Sequence, residues 1–389
     1  MREFQAVKQN SDYMHQYNIK MLYKLIKNEK ITTKANLTRI TKLSPTSIGR
    51  LVGELIDDNY VTEVGVDNSG LGRKATLLQI NENRVLAVGV SIDRGIIRAG
   101  VVNLYGEQLL YMERKIDDMI AKESLILIAA EMIQYMIDSG GESYTEDLIG
   151  IGISVPGPVT WPDGIMQYSP QFRWGNCNMR EELKRILNRT DIFVENNVKA
   201  MAVAEHLFGN LKDSSDFIIL NVGSGVGAAV MSRGSLLRGT RNFAGEIGHT
   251  IVDVDGPVCD CGRRGCFQTF VSMDCIEKNF HIPFHEVIKR SRGGDQEVNS
   301  FLNQVTDKFA IMTANLVNYY DINTVIYQGV MQQGWNEMVG IIDDKMKKYL
   351  WKALCSNLKV IAADVESDVV AASSVVFNEF LATNSMGLI

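Results

Sequence analysis

Nowhere in the 389 residues do eighteen apolar side chains follow one another, and the opening stretch MREFQAVKQNSDYMHQ has no apolar core. The first absence excludes a membrane-spanning helix and the second a secretory signal, so a cytoplasmic location is expected. Cysteine is scarce. Three of the six crowd together as Cys259, Cys261 and Cys266, and the scattered Cys177, Cys275 and Cys355 are expected to be free thiols in a reducing compartment. An overall excess of positive charge is missing too: the net charge of −6 taken alone argues against nucleic-acid binding. What is present is a globular composition, 46% apolar and 22% charged, in a chain long enough for two or three domains.

The charge is unevenly spread. Residues 1–83 hold 12 Lys and Arg against 9 Asp and Glu, whereas the remainder holds 28 against 37. A basic N-terminal unit on an acidic body suits a DNA-binding domain joined to an effector domain. Within that unit, residues 17–28 place Ile19, Leu22, Leu25 and Ile26 at helical spacing. A short second helix over 33–40 turns Ala35, Leu37 and Ile40 inward, and after a turn Ser44 caps a third helix with Pro45 at its first position. This order predicts a helix-turn-helix whose recognition helix presents Thr46, Ser47 and Arg50 to the major groove. Residues 60–65 and 75–80 then alternate like two strands of a wing, with Arg73 and Lys74 at its tip available to a minor groove. A protein-interaction module is the other reading of three such helices, and a solvated turn the other reading of the tip.

From Val85 the texture changes to strands. VLAVGVSI, IIRAGVVNL and EQLLYMERKI read as a meander, followed by a helix over 123–137 and the buried strand LIGIGISV. FIILNVGSG, VGAAVMSRG and SLLRG repeat the meander, followed by helix around 301–320, the strands TVIYQG and LKVIAAD, and a last helix from 367 to about 382. Two copies of one pattern imply two lobes with a cleft between them.

The stretch GEIGHTIVDVDGPVCDCGRRGCFQT, 245–269, carries the densest chemistry. His249 with Cys259, Cys261 and Cys266 makes a Cys3His set, the ligand count and type of a closed structural zinc site. A disulfide or a free-thiol loop is the alternative, although Cys-x-Cys is too close for an easy mutual disulfide. Glu246, three residues before His249, forms with it an acceptor and donor pair suited to vicinal sugar hydroxyls. On spacing alone, Glu246 serves equally well as a group that orients the metal ligand.

The run AGEIGHTIVDVDGPVCDCGRRGC resembles the signature of the ROK family of bacterial repressors, uncharacterised reading frames and sugar kinases. The resemblance implies zinc on His249, Cys259, Cys261 and Cys266, and sugar contacts from Glu246 and His249. It also implies a hydroxyl-binding role for Asn196 and a sugar-proximal position for Trp174, for which core or rim packing is the competing reading. Where family kinases carry a Glu after the last Cys, this chain has Gln268. Where they carry D-x-G-G-T and E-N-D-A, it reads Ser91-Ile92-Asp93-Arg94-Gly95 and Glu195-Asn196-Asn197-Val198. Asn197 cannot accept a proton as a general base, so no phosphotransfer is expected. The second glycine turn persists at Gly223, Gly225 and Gly227, while the Gly329-Val330 region lacks the usual glycine pair.

These readings converge on an α/β chain: a winged helix-turn-helix over 1–82, then a duplicated ribonuclease H-like, actin-like body with a zinc loop over 83–389. Lobe one is expected over about 83–197 with the C-terminal helix, and lobe two over about 198–366. The expected function is a sugar-responsive repressor of carbohydrate-utilisation genes, a homodimer or tetramer on operator DNA, with no membrane partner. An active sugar kinase with a DNA-binding extension and a regulator sensing a protein partner are the alternatives.

Overall fold

The computed structural model describes residues 11–67, 74–169, 172, 174–211, 214–329, 335, 337–354 and 357–382. The N-terminal unit comprises α1 (Ser11–Glu29), β1 (Ile31–Thr33), α2 (Lys34–Thr41), α3 (Pro45–Asp57), β2 (Val61–Asp67) and β3 (Ala75–Ile80). Local capping sets its helix ends. Thr33 Oγ1 accepts from Asn36 N, Ser44 Oγ accepts from Ser47 N, and Lys42 ends α2 in the left-handed region. The three strands pair antiparallel in the order β1-β3-β2. Strand β1, which no sequence pattern announced, exists because Ile31–Thr33 pairs with residues 77–79 of β3. One expectation fails: in α2 only Leu37 is buried, while Ala35 and Ile40 lie exposed because a helix of two turns offers the core a single position.

Lobe one contains β4 (Leu86–Asp93), β5 (Ile96–Asn103), β6 (Gln108–Lys115), α4 (Lys122–Ser139), α5 (Gly141–Asp147) and β7 (Leu148–Val155). It continues with β8 (Met166–Ser169), β9 (Trp174–Cys177), α6 (Met179–Leu187) and β10 (Ile192–Asn196), after which α7 (Asn197–Phe208) crosses to lobe two. There β11 (Phe217–Val222), β12 (Val226–Ser232) and β13 (Ser235–Leu236) precede α8 (Gln268–Val271), α9 (Met273–Phe280), α10 (Phe284–Arg292) and α11 (Gln296–Tyr320). β14 (Thr324–Gly329), α12 (Met338–Met346) and β15 (Lys359–Ala362) follow, and α13 (Asp368–Ala382) ends the described chain.

The two large sheets have the same topology. Lobe one orders its strands β6-β5-β4-β7-β10 and lobe two β13-β12-β11-β14-β15, each an antiparallel meander extended by two parallel strands. The expected duplication is therefore present. α13 returns to lobe one, lying on β4, β5 and β7. Gly152 permits that approach, since a Cβ there would stand 2.0 Å from the Ala372 carbonyl. α13 also packs on α7 through Ala200, Ala204, Ala371 and Val375. Its outer end joins the N-terminal core, where Leu22, Ile26, Leu37, Leu51 and Leu78 share one apolar cluster with Val376, Phe377 and Phe380. Among the described residues no helix is long and apolar enough to cross a membrane.

Candidate functional site

The loop after β13 gathers the Cys3His set as expected. One ligand atom from each of His249, Cys259, Cys261 and Cys266 lies within 4.8 Å of every other. Cys259 Sγ is 3.7 Å from His249 Nδ1, and Cys261 Sγ is 3.6 Å from Cys266 Sγ. A tetrahedron of sulfurs at the Zn–S distance has edges of about 3.8 Å, so the four residues fit a tetrahedral metal of that size. No disulfide forms among them, and Cys177 and Cys275 are also free; Cys355 lies outside the described residues.

Backbone bonds fix the loop before any metal enters. Cys259 N donates to Arg263 O at 2.7 Å, Gly262 N to Cys259 O at 2.8 Å, and Val252 N to Gly265 O at 2.9 Å. Gly265, at φ +70°, is needed because a Cβ would collide with the Asp253 carbonyl. Phe267 then anchors the loop in lobe two, edge to face with Phe309 at 5.3 Å between centroids. Gln268 has a place that the sequence did not disclose: its Nε2 donates to Cys259 Sγ at 3.5 Å. An amide can donate to that sulfur, whereas an ionised carboxylate cannot.

Beside the cluster, Glu246 precedes the tight helical turn Ile247–His249. Its half-buried carboxylate makes no hydrogen bond or ion pair among the described residues, leaving its lone pairs open to a ligand. His249 turns Nδ1 to the cluster, which leaves its other nitrogen for a second partner. The body's other candidates sit at the start of α7. Asn196 caps that helix, its Oδ1 accepting from Val198 N at 3.0 Å and Lys199 N at 3.2 Å while Nδ2 donates to Gly157 O at 3.0 Å. One amide hydrogen of Asn196 remains for a ligand. Asn197 Oδ1 accepts from Val198 N. Trp174 is differently engaged: its indole N–H donates to Ile120 O at 3.2 Å, and Phe172 stacks on it at 4.8 Å. Those contacts tie Trp174 to the packing of lobe one.

Sequence reasoning missed a latch between the lobes. Glu195 is completely buried; Arg238 pairs with one carboxylate oxygen, and the other accepts from Asn242 Nδ2 and Asn196 N, each at 2.8 Å. Asn242 also donates to Val159 O at 3.0 Å, and the Arg238 guanidinium lies 4.1 Å from the centre of the Trp161 ring. Lys199, in the first turn of α7, was also passed over. It is 1% exposed, and burial lowers its pKa, opposed by the charges of Glu195 and Glu246. The only sequence signal was a lone lysine in the apolar run NVKAMAVA.

In the N-terminal unit, Ser44, Thr46 and Arg50 are exposed on the first turns of α3, and Ser47 is held by Ser44 through paired hydroxyls 2.9 Å apart. Arg50 is only loosely attracted to Glu54, at 3.9 Å. Lys74 is exposed; Gly72 and Arg73 lie outside the described residues.

A model of the ROK family matches residues 87–374. The xylose repressor of Caldicellulosiruptor bescii is 28% identical over 338 residues, covering 82% of this chain and 84% of the repressor. Among solved structures, a ROK family transcriptional regulator that is a homologue of the E. coli MLC protein superposes with a TM-score of 0.81 at 21% identity. That match covers 95% of this chain and 97% of the regulator. The ROK hexokinase of Thermus thermophilus superposes with a TM-score of 0.64 at 24% identity, covering 76% of this chain but 99% of the hexokinase. The body thus has a sugar-kinase-type fold.

Proposed function

The chain belongs to the ROK family, and from that premise we propose that it is a DNA-binding transcriptional regulator, a repressor released or engaged by a sugar. One observation carries the reading. A hexokinase matched over 99% of its length leaves about a quarter of this chain unaccounted for, and this chain adds a helical unit presenting Thr46 and Arg50 on an open helix start. In this reading residues 1–82 form a winged helix-turn-helix that meets DNA through Ser44, Thr46, Ser47, Arg50, Arg73 and Lys74. Residues 83–389 form the effector domain, with structural zinc on His249 and the three cysteines. Glu246, His249, Asn196, Asn197, Gln268 and Trp174 are its candidate sugar contacts.

The lost kinase chemistry fits a sensor. Asn197 stands where a general base is needed, and Arg94, in the place of the first phosphate loop, is occupied by Asp118 at 3.0 Å. α7 supplies a route from ligand to DNA: Asn196 and Asn197 begin it at the candidate ligand site, and its last turn meets α1 through Lys27, whose Nζ approaches Leu207 O at 3.5 Å. A ligand that binds two arrangements of the lobes unequally would tilt this rod and the unit behind it. In a homodimer or a pair of dimers, recognition helices must reach half-sites about one DNA turn apart, so a small tilt is enough to prevent joint docking.

The test is fluorescence anisotropy of the purified protein on DNA from upstream of its own and neighbouring genes, with and without a panel of pentoses, hexoses and their derivatives. Specific binding that one sugar shifts by about 5- to 150-fold is expected. No specific binding to any such fragment, or sugar-dependent ATP turnover, overturns the reading.

A further inference from the structure

Among the described residues of the ligand region, Lys199 is a buried cation without a close partner. Its Nζ makes no hydrogen bond and no ion pair within 4.0 Å among the described residues, although the residue is 1% exposed. Of the two carboxylates whose charge it feels, Glu195 is already satisfied by Arg238, Asn242 and the Asn196 backbone. The other, Glu246, belongs to the candidate effector site. Strand β12 joins the two sides: Gly227 lies against Val198 of α7, and Ala228 N donates to the Gly245 carbonyl at 2.8 Å. The segments that carry Lys199 and Glu246 thus lie on one strand, and the charge of Glu246 reaches Lys199.

A buried ammonium is costly unless a counter-charge comes close. Among the described residues none brings one within 4.0 Å. The flanking side chains Asn197 and Gln268 are neutral amides and add no negative charge to the surroundings. A site that pairs one open carboxylate with one unpaired ammonium, flanked by amides, is matched by a ligand with hydroxyls at one end and an anion at the other.

We propose that Lys199 is a specificity-determining residue of the effector site, and that the effector is a sugar bearing an anionic group that docks on its ammonium. Glu246 accepts from hydroxyls of the same molecule, and Lys199 supplies a point-charge contact that suits a carboxylate or a phosphate. This rests on the reading of the cleft as a sugar-effector site.

Calorimetry on the full-length, metal-replete protein tests it, with matched probes: glucose, glucuronate, gluconate and glucose 6-phosphate; xylose, xylonate and xylose 5-phosphate; and inorganic phosphate alone. At least one anionic sugar should bind about tenfold or more tighter than its neutral parent. Uronate and aldonate against phosphate ester identify which anion it is. Lys199→Met and Lys199→Gln, checked for metal content and melting temperature, should erase that preference. Neutral parents binding as tightly as every anionic counterpart, or variants that keep the preference, overturn the role of Lys199 while leaving sugar sensing intact. Inorganic phosphate binding as tightly as the sugar phosphate reduces the site to a plain anion site and overturns the specificity. A panel in which nothing binds overturns the effector-site reading itself, and Lys199 with it.

Discussion

The ring of Tyr23 in α1 meets the ring of Phe380 in α13 edge to face, with centroids 6.1 Å apart. That contact joins the N-terminal unit to a helix that also packs on β4, β7 and α7, so the helical unit shares a core with the body. Phe380→Leu keeps the apolar volume but removes the ring contact. Operator affinity without effector should stay within a few-fold, while the effector-induced change, expected at about 5- to 150-fold for the unaltered chain, should shrink toward unity. Anisotropy titrations with and without effector measure both. An unchanged response removes this contact from the coupling path.

Lys27 makes the same interface sensitive to pH. Its ammonium lies 5.7 Å from the centre of the Phe208 ring, and burial lowers its pKa from 10.5 to about 8. The folded chain thus binds this proton less readily than the unfolded one, which weakens the fold fully below about pH 8. The penalty fades as pH rises from about 8 toward 10.5. Lys27→Met should melt higher than the unaltered protein at pH 7, and the gap should narrow toward pH 10. Thermal melts across that range check it, and a gap independent of pH refutes it.

The metal cluster predicts one firmly held ion per chain. Cys261→Ser removes one of four ligands and should lower the metal content and the melting temperature together. Gln268→Glu is the sharper test, because it replaces an N–H donor 3.5 Å from Cys259 Sγ with a carboxylate facing a thiolate. A loss of about 10- to 100-fold in metal affinity is expected from such an outer-contact change. Competition with a chromogenic chelator measures it; retention equal to that of the unaltered protein would mean the amide has no part in holding the metal.

Arg50 is exposed and nearly free of Glu54, so it is available for a base edge. Arg50→Ala should cost about 1–3 kcal/mol on the specific operator and less on random DNA. Arg73→Ala should matter most on sites with a narrow A·T-rich minor groove. Equal losses on both kinds of DNA would assign these side chains to phosphates.

What the sequence disclosed and what it hid follow from range. Ser44-Pro45 was legible because a cap acts within three residues, and the Cys3His cluster because its ligands crowd one loop. The duplication was legible because each meander repeats an alternation that a buried sheet requires. β1 was not, since Ile31–Thr33 becomes a strand only by pairing with residues some 46 positions away. The Glu195–Arg238 latch spans 43 residues with no periodicity to betray it. Gln268 illustrates a subtler limit: a missing charge was readable, but the sulfur that its amide meets was not.

In the proposed reading, Glu246 is the residue on which sugar sensing most directly depends. Its carboxylate is half-buried, hydrogen-bonded to no described residue, and three positions from a histidine that faces the metal cluster. Glu246→Gln keeps the shape and removes the charge, so an effector hydroxyl would lose a charged acceptor, worth about 1.5–3 kcal/mol. Sugar binding should weaken by roughly 10- to 100-fold, whereas ligand-free operator binding should hardly move, since α3 belongs to the N-terminal unit and Glu246 to the loop after β13. Asn197→Asp in the same background probes the proposed absence of phosphotransfer. A carboxylate at this position alone is expected to yield no ATP turnover, because in the proposed reading Arg94, bonded to Asp118, stands in the place of a phosphate loop. Calorimetry, operator titration and an ATPase assay on one set of purified variants separate these outcomes. If Glu246→Gln binds the effector and responds to it like the unaltered chain, the sugar contacts lie elsewhere in the cleft.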